Sequence, residues 1–369
     1  MKSSGIGGQA VLEGIMMRSK NEIAVAVRKP DGDIEVGRMH ARTPKEICKA
    51  FGWPVIRGVA AFISSLVIGI QTLMFSANFF VEEEEEENIA DKAKGKTKEK
   101  KTEAKPESNE LGSGFSGVMM FGTVAFSLIL AIVIFMLVPY WAATGIMKLF
   151  GSDSVVWVAI IEGILKLAIF IAYVSLISLM KDIRRTYMYH GSEHKCINCI
   201  ESGKELTVDN VMASSKEHRR CGTSFLFFVI FISIILFIAL DVVLSTCTSF
   251  DTKLFVNKII RMGIRLLMVP IIAGLSFEFI QWAGNSDTKI SGILSKPGLW
   301  IQGLTTKEPE RDMVEVAIQA VEAVFDWRAY LREQGIEVAG PVKDPAPGEI
   351  AEVSGTETVS LGASGEQQA

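Results

Sequence analysis

Apolar residues fall in a few long blocks, and charged residues are concentrated in the segments between them. Residues 111–147 carry no formal charge and contain Val124–Val138, the most apolar stretch of the chain. Ser154–Met180, Cys221–Leu240 and residues 259–284 repeat the pattern. About 20 apolar residues suffice for a helix to cross the hydrocarbon layer of a bilayer, so these blocks predict four transmembrane helices. Residues 58–81 are also uncharged, but Ser65, Gly69, Thr72 and Ser76 form a small, polar stripe at helical spacing. Such a segment either crosses or is a re-entrant or interfacial helix.

The polar segments have their own patterns. In residues 1–53, Ile23–Val27 and Asp33–Val36 flank Pro30-Asp31-Gly32, which reads as strand, tight turn, strand. This predicts a small domain with a β-hairpin. Its Gly7–Arg18 segment is glycine-rich and reads as a tight turn into the hairpin, or as a segment whose glycines let backbone approach a ligand. Residues 82–110 begin with six consecutive Glu and continue with seven Lys, which predicts a disordered charged insert. After the last span, Val314, Ala317, Ile318, Val321, Val324 and Phe325 share one face of an amphipathic helix within a 285–333 region. Residues 334–369 read as a disordered tail. The fold class is therefore mainly α: a polytopic helical membrane protein with a small N-terminal β-hairpin domain.

Composition adds orientation and excludes some functions. The 369 residues have a mean hydropathy of +0.31, too apolar for an ordinary soluble domain. No large basic surface suggests nucleic acid, and five Cys form no disulfide framework. The 181–220 loop holds eight Lys or Arg, against one in 141–153 and two in 242–258. The excess of positive charge on cytoplasmic loops places 181–220 on the cytoplasmic side of its membrane. Ten Lys or Arg in the first 57 residues put the N-terminal domain inside as well, which favours 58–81 not crossing. The lipid bilayer is then the principal partner.

Chemistry concentrates in that cytoplasmic loop. Three of the four His, His190, His194 and His218, lie within 29 residues, close to Cys196, Cys199 and Cys221. His190-x-x-Glu193-His194 is the spacing of inverted zinc hydrolases, in which two His share a helix face and the Glu acts as base. Gly191 inside it weakens a helical reading. Cys196-x2-Cys199 with His218-x2-Cys221 is instead the spacing of a structural zinc site. The two patterns compete for one metal, or mix through His194, His218 and Cys221. Glu162, Lys166, Asp241, Arg261, Arg265 and Glu278 lie in or near spans, where ionisable groups are costly and face partners or wet cavities.

Gly7-Gly8-Gln9-Ala10-Val11-Leu12-Glu13-Gly14, Tyr189-His190-Gly191-Ser192-Glu193-His194-Lys195, Arg220-Cys221-Gly222-Thr223-Ser224 and Pro297-Gly298-Leu299-Trp300-Ile301-Gln302 together resemble the DUF1385 family of bacterial membrane proteins. The resemblance implies a metal-dependent enzyme. His190, Glu193, His194, His218 and Cys221 match family motif positions, whereas Cys196 does not and Cys199 is only frequent there. Zinc or another divalent metal on His190 and His194, helped by His218 or Cys221, with Glu193 as general base, is the leading expectation. Glu13, Arg18, Lys195, Cys199, Glu162 and Glu278 are further candidates, and the Gly7–Arg18 segment is expected to close over the site. A transporter or channel, with the intramembrane charges as its path and a homo-oligomer to complete it, is the alternative. A non-catalytic scaffold is the third.

Overall fold

The computed structural model describes residues 3–93, 122–123, 125–152, 154–247, 255–286 and 288–338. The chain is mainly helical, with one small antiparallel sheet near the N-terminus. Five helices are long and apolar enough to cross a membrane: Ile56–Phe80, Ala125–Leu149, Val156–Ile177, Ser224–Leu244 and Ile260–Ala283.

The sheet is a meander of β1 (Ile6–Val11), β2 (Gly14–Ser19), β3 (Glu22–Arg28) and β4 (Ile34–His40), in that order. The β3–β4 hairpin is the predicted one. The Gly7–Arg18 segment is not a loop: it is the β1–β2 hairpin, in which Gly7 pairs with Arg18 and Val11 with Gly14. Its strands are poor in β-branched residues, so their propensity is weak, and pairing to the Ile- and Val-rich β3 supplies the register. Both faces of β2 and β3 are covered. Ile15, Met17 and Ala26 pack into a core with helices from later in the chain, while Met16, Ile23, Val25 and Val27 pack on Ile68, Phe75, Phe79 and Phe80.

After the short α1 (Pro44–Ile47), α2 runs unbroken from Ile56 to Ala93. It has no internal break at which the helix itself could turn back. Thr72 and Ser76 are fully buried, Gly69 lies against the Gln9 amide and Leu12 N–H donates to Ser76 Oγ at 3.2 Å, so the small, polar stripe faces the sheet. Phe62, Ile63, Leu66, Val67, Ile70, Leu73 and Met74 remain exposed on the same helix. The Glu run at 82–87 is helical, contrary to the disorder expected from residue 82. Glu is a good helix former, and these residues extend a helix already nucleated by the apolar segment. Residues 94–110 of the expected insert lie outside the described residues, as do 339–369 of the expected tail. Ile336 and Val338, at the start of that tail, pack against the core.

The apolar bundle continues with α3 (Val138–Leu149), α4 (Val155–Ile177), α7 (Gly222–Cys247) and α8 (Phe255–Asn285). Between α4 and α7 come α5 (Lys181–Glu201) and α6 (Val208–Met212). Contacts of Phe228 with Phe279 at one end and Asp241 with Arg261 at the other make α7 and α8 antiparallel. The bundle end that carries Ile177, Gly222 and Asn285 therefore meets α5 and the sheet.

Then come α9 (Lys289–Thr305), α10 (Arg311–Val324) and α11 (Trp327–Glu333). Helix α9 lies in the 285–333 region, ahead of the amphipathic helix predicted there, and continues through Pro297. Its Ile301 is anchored among Phe170, Val174, Phe227 and Ile230, and Gly298 lies against Ser224. The predicted face of α10 is the one that packs: Val314, Ala317 and Val321 are buried, with Ile318, Val324 and Phe325 at the margin.

Candidate metal centre

Helix α5 continues straight through Gly191, and the reason is a close approach. A Cβ at this position would overlap the carbonyl oxygen of Lys307, whose N–H donates to Tyr187 O at 2.9 Å. The helical cost of glycine, about 1 kcal/mol relative to alanine, is offset by docking of the 305–309 segment onto α5. His190 and His194 thus stand one turn apart on one face, ring centroids 4.4 Å apart.

Each ring is held by a backbone carbonyl. His190 Nδ1 lies 3.0 Å from Thr305 O, and His194 Nδ1 lies 2.6 Å from Lys216 O. A carbonyl only accepts, so Nδ1 carries the proton and donates in both rings, leaving Nε2 as the free ligand atom. Cys221, immediately before α7, brings its Sγ to 3.2 Å from His190 Nε2. One ligand atom from each of His190, His194 and Cys221 lies within 4.8 Å of the others. His194 and Cys221 are almost fully enclosed.

The electrostatics match the geometry. Burial alone would raise the Cys221 thiol, but the His190 and His194 rings hold it well below the ordinary range. Burial likewise pulls His190 down, and the adjoining thiolate outweighs it, holding the imidazole up to about 9. The surroundings favour the thiolate at Cys221, the form in which a thiol ligates a metal, and His190 would ligate beside it only after giving up any proton on Nε2.

Glu193 is buried beside this cluster and lines a cavity of about 900 Å³. Strand β1 crosses directly over it. A Cβ on Gly8 would come to 3.0 Å from the Glu193 carboxyl carbon and 2.6 Å from Met16 O, so only glycine fits there. The Gly7–Arg18 segment therefore does adjoin the motif helix, as a strand edge.

His218 does not join the three-ligand cluster, although its ring centroid lies 5.6 Å from that of His194. Its Nε2 lies 3.9 Å from Glu201 and 3.4 Å from Arg220, while its backbone is clasped at both ends by the Gln302 amide, at 3.0 and 2.7 Å. Glu201 was not singled out from sequence. It also accepts from Ser4 N–H at 2.8 Å and from Arg220 at 2.5 Å. Burial opposes its ionisation, but His218, Ser4 and Arg220 hold it down to about 2. The signal was present: 190, 194, 197 and 201 fall on one helical face.

The other candidates have structural partners. Cys196 and Cys199 are buried in the apolar core, where burial pushes both thiols up, and Cys199 Sγ faces Glu205 O at 3.4 Å. The Lys195 ammonium is buried against Met212 O, Ser214 O and Glu308. Glu13 takes both arms of Arg185 at 2.6 Å and the Tyr189 hydroxyl at 3.3 Å. Arg18, on β2, lines the cavity. Glu278 pairs with Arg57 and Val55 N–H at the start of α2. Glu162 sits within the bundle among Lys166 and Arg265.

The DUF1385 profile, described as a protein of unknown function, matches residues 53–327. The chain belongs to the DUF1385 family. It is 31% identical over 332 residues to the uncharacterized protein YqhQ of Bacillus subtilis strain 168, covering 89% of this chain and 94% of that one. No solved structure matches it. The matched segment includes α5, Cys221 and the Thr305 region, so every group of the three-ligand cluster and its carbonyl supports lies inside the family boundary.

Proposed function

We propose that the chain is a membrane-embedded metal-dependent hydrolase, with zinc as the metal, working at the cytoplasmic face of the bacterial cytoplasmic membrane. The observation that carries this is the convergence of His190, His194 and Cys221, with both imidazoles oriented by backbone carbonyls. Two imidazoles and one thiolate suit zinc and leave it a coordination position for substrate, and the ion supplies a Lewis acid there. Glu193, buried beside His190 and open to the cavity, accepts the proton of the attacking water and returns it to the leaving group. Gly8 provides the clearance for that carboxylate.

The eight Lys and Arg of 181–220 support the cytoplasmic placement. For α2, the burial of its polar stripe against the sheet, with its other side apolar and exposed, supports a helix lying in the cytoplasmic interface rather than crossing.

A second reading has its own observation. Cys221 stands at the N-terminal end of a 26-residue helix with His190 Nε2 at 3.2 Å and Thr305 O behind the ring. That is also the layout of a cysteine nucleophile activated by histidine. Elemental analysis of the detergent-purified protein decides between them, run beside His194→Ala. About one zinc per chain, lost in the variant, is expected. A metal-free wild type whose Cys221 is alkylated rapidly by iodoacetamide would overturn the metal reading in favour of the nucleophile.

A further inference from the structure

The cavity beside the ligand cluster has a lopsided lining. Arg18 and Lys20 from β2 and its following turn, and Arg220 just before α7, bring three cations to it, against the single carboxylate of Glu193. Arg220 is already paired with Glu201. Arg18 and Lys20 have no carboxylate within salt-bridge distance among the described residues; the Arg18 Nε instead donates to Lys20 O at 2.8 Å. Glu46 acts on Arg18 only at longer range, and two cations without a salt-bridge partner beside a partly enclosed volume of about 900 Å³ mark a place for an anion. Strand β1, the edge of the sheet, forms one wall from Gly5 to Ala10, so backbone N–H groups not used by β2 face this side.

The opposite wall is made by apolar helices. Ser65 and Ile68 of α2, Gly222 at the start of α7 and Gln281 near the end of α8 complete the lining. Beside Ser65, α2 exposes Phe62, Ile63, Leu66 and Val67. The cavity thus combines cations from β2, its following turn and the segment before α7 with an exposed apolar face of α2 beside it, which suits an amphiphile with an anionic head.

We propose that this cavity binds the phosphorylated headgroup of an anionic membrane lipid, with the acyl chains leaving along the exposed face of α2. Arg18 and Lys20 bind the phosphate. The inference rests on the proposed hydrolase only in taking that lipid as the substrate class; binding itself does not require the metal.

The test is native mass spectrometry of the detergent-solubilised full chain, titrated with phosphatidylglycerol or phosphatidylcholine. Preferential retention of phosphatidylglycerol is expected, falling about tenfold or more in Arg18→Gln/Lys20→Gln. A charge-matched control, Lys29→Gln/Lys204→Gln, retains it. Ser65→Trp, which narrows the apolar side and leaves the cations in place, lowers it as well and guards against a folding defect in the first variant. Equal retention of the two lipids, or retention unchanged in both cavity variants, overturns the proposal. So does displacement by free glycerol phosphate at concentrations matching the lipid, which would make the ligand a soluble phosphate. His194→Ala separates the two ideas: lipid retention that survives metal loss supports the binding site independently of the metal, and lipid loss that tracks metal removal overturns it as drawn.

Discussion

Cys221 Sγ stands 3.2 Å from His190 Nε2, although 31 residues separate them in sequence. The approach depends on two independent placements: α5 carries His190 through the glycine contact with Lys307, and the Gln302 amide pins the backbone at His218 just before Cys221. Three groups then converge in the candidate centre. Cys221→Ser and His190→Ala should each reduce bound zinc below about one-tenth of the wild-type content, because each removes a direct ligand. His218→Ala should retain it, since that ring faces Glu201 and Arg220. Elemental analysis of the three variants checks this, and metal loss in His218→Ala equal to that in Cys221→Ser would make His218 a ligand.

Gly191 gives a sharper structural prediction than either histidine. A methyl group there overlaps Lys307 O, and backbone cannot yield as a flexible side-chain end does. Gly191→Ala should push the 305–309 segment off α5 and destabilise the protein by roughly 1–3 kcal/mol, despite alanine's better helix propensity. Thr305 O, which orients His190, moves with that segment. The thermal midpoint and zinc affinity should therefore fall together, by melting and by competition with a chelator. A rise in the midpoint would show that the contact is not close in solution.

The apolar blocks were legible because burial in a bilayer demands long uncharged runs, and four of the five candidate spans follow directly from them. The fifth, in α2, carried a stripe whose purpose the sequence left open. Thr72 and Ser76 turn out to face a sheet strand formed more than 60 residues earlier. Half of that sheet was missed because Gly7 and Gly8 lower strand propensity locally, and at Gly8 the glycine gives clearance for Glu193, a tertiary demand invisible from neighbours in sequence. The His190/His194 pair was visible through the helical period. Gly191 argued against the helix for a reason that only Lys307 reverses. Helix α9 had no element assigned in the sequence, and the packing of Ile301 among Phe170, Val174, Phe227 and Ile230 accompanies it in the fold. Glu201 was visible in principle, at the next turn of the same face, but nothing in the sequence announces Ser4 and Arg220 as its partners.

Those partners make Glu201 a source of acid sensitivity. Its folded-state value is depressed to about 2 from an ordinary 4.5. A carboxylate depressed on folding contributes stability that is present above its unfolded value and lost as pH falls through the folded one. The contribution, on the order of 2–3 kcal/mol for a group so little exposed, should therefore be complete above about pH 5 and disappear towards pH 2. Glu201→Gln should lower the melting temperature at pH 7 and flatten its dependence on pH between 5 and 2. A variant with the wild-type acid slope would show that other carboxylates set it.

The bundle holds a second set of charges whose balance is uneven. Arg265 Nη1 contacts both oxygens of Glu162 at 2.8 Å and its Nη2 reaches Asp241 at 2.8 Å, while Arg261 also pairs with Asp241 and Lys166 with Glu162. Among the described residues the cluster has three cations, Lys166, Arg261 and Arg265, for two carboxylates, and all five are buried. The aromatic faces of Tyr140 and Phe237 lie by the cations. Removing Arg265 leaves two neutral pairs, Lys166–Glu162 and Arg261–Asp241. Removing Glu162 leaves three cations around one carboxylate in an apolar bundle. Breaking a buried pair so that a charge is uncompensated costs about 3–5 kcal/mol. Glu162→Gln should therefore destabilise by that amount, and Arg265→Gln by less, about 1–3 kcal/mol for lost hydrogen bonds and ring contacts. Thermal unfolding in detergent of the two variants at pH 7 measures the order. If Arg265→Gln proved the worse, the surplus positive charge would have to be neutralised by a group outside this cluster.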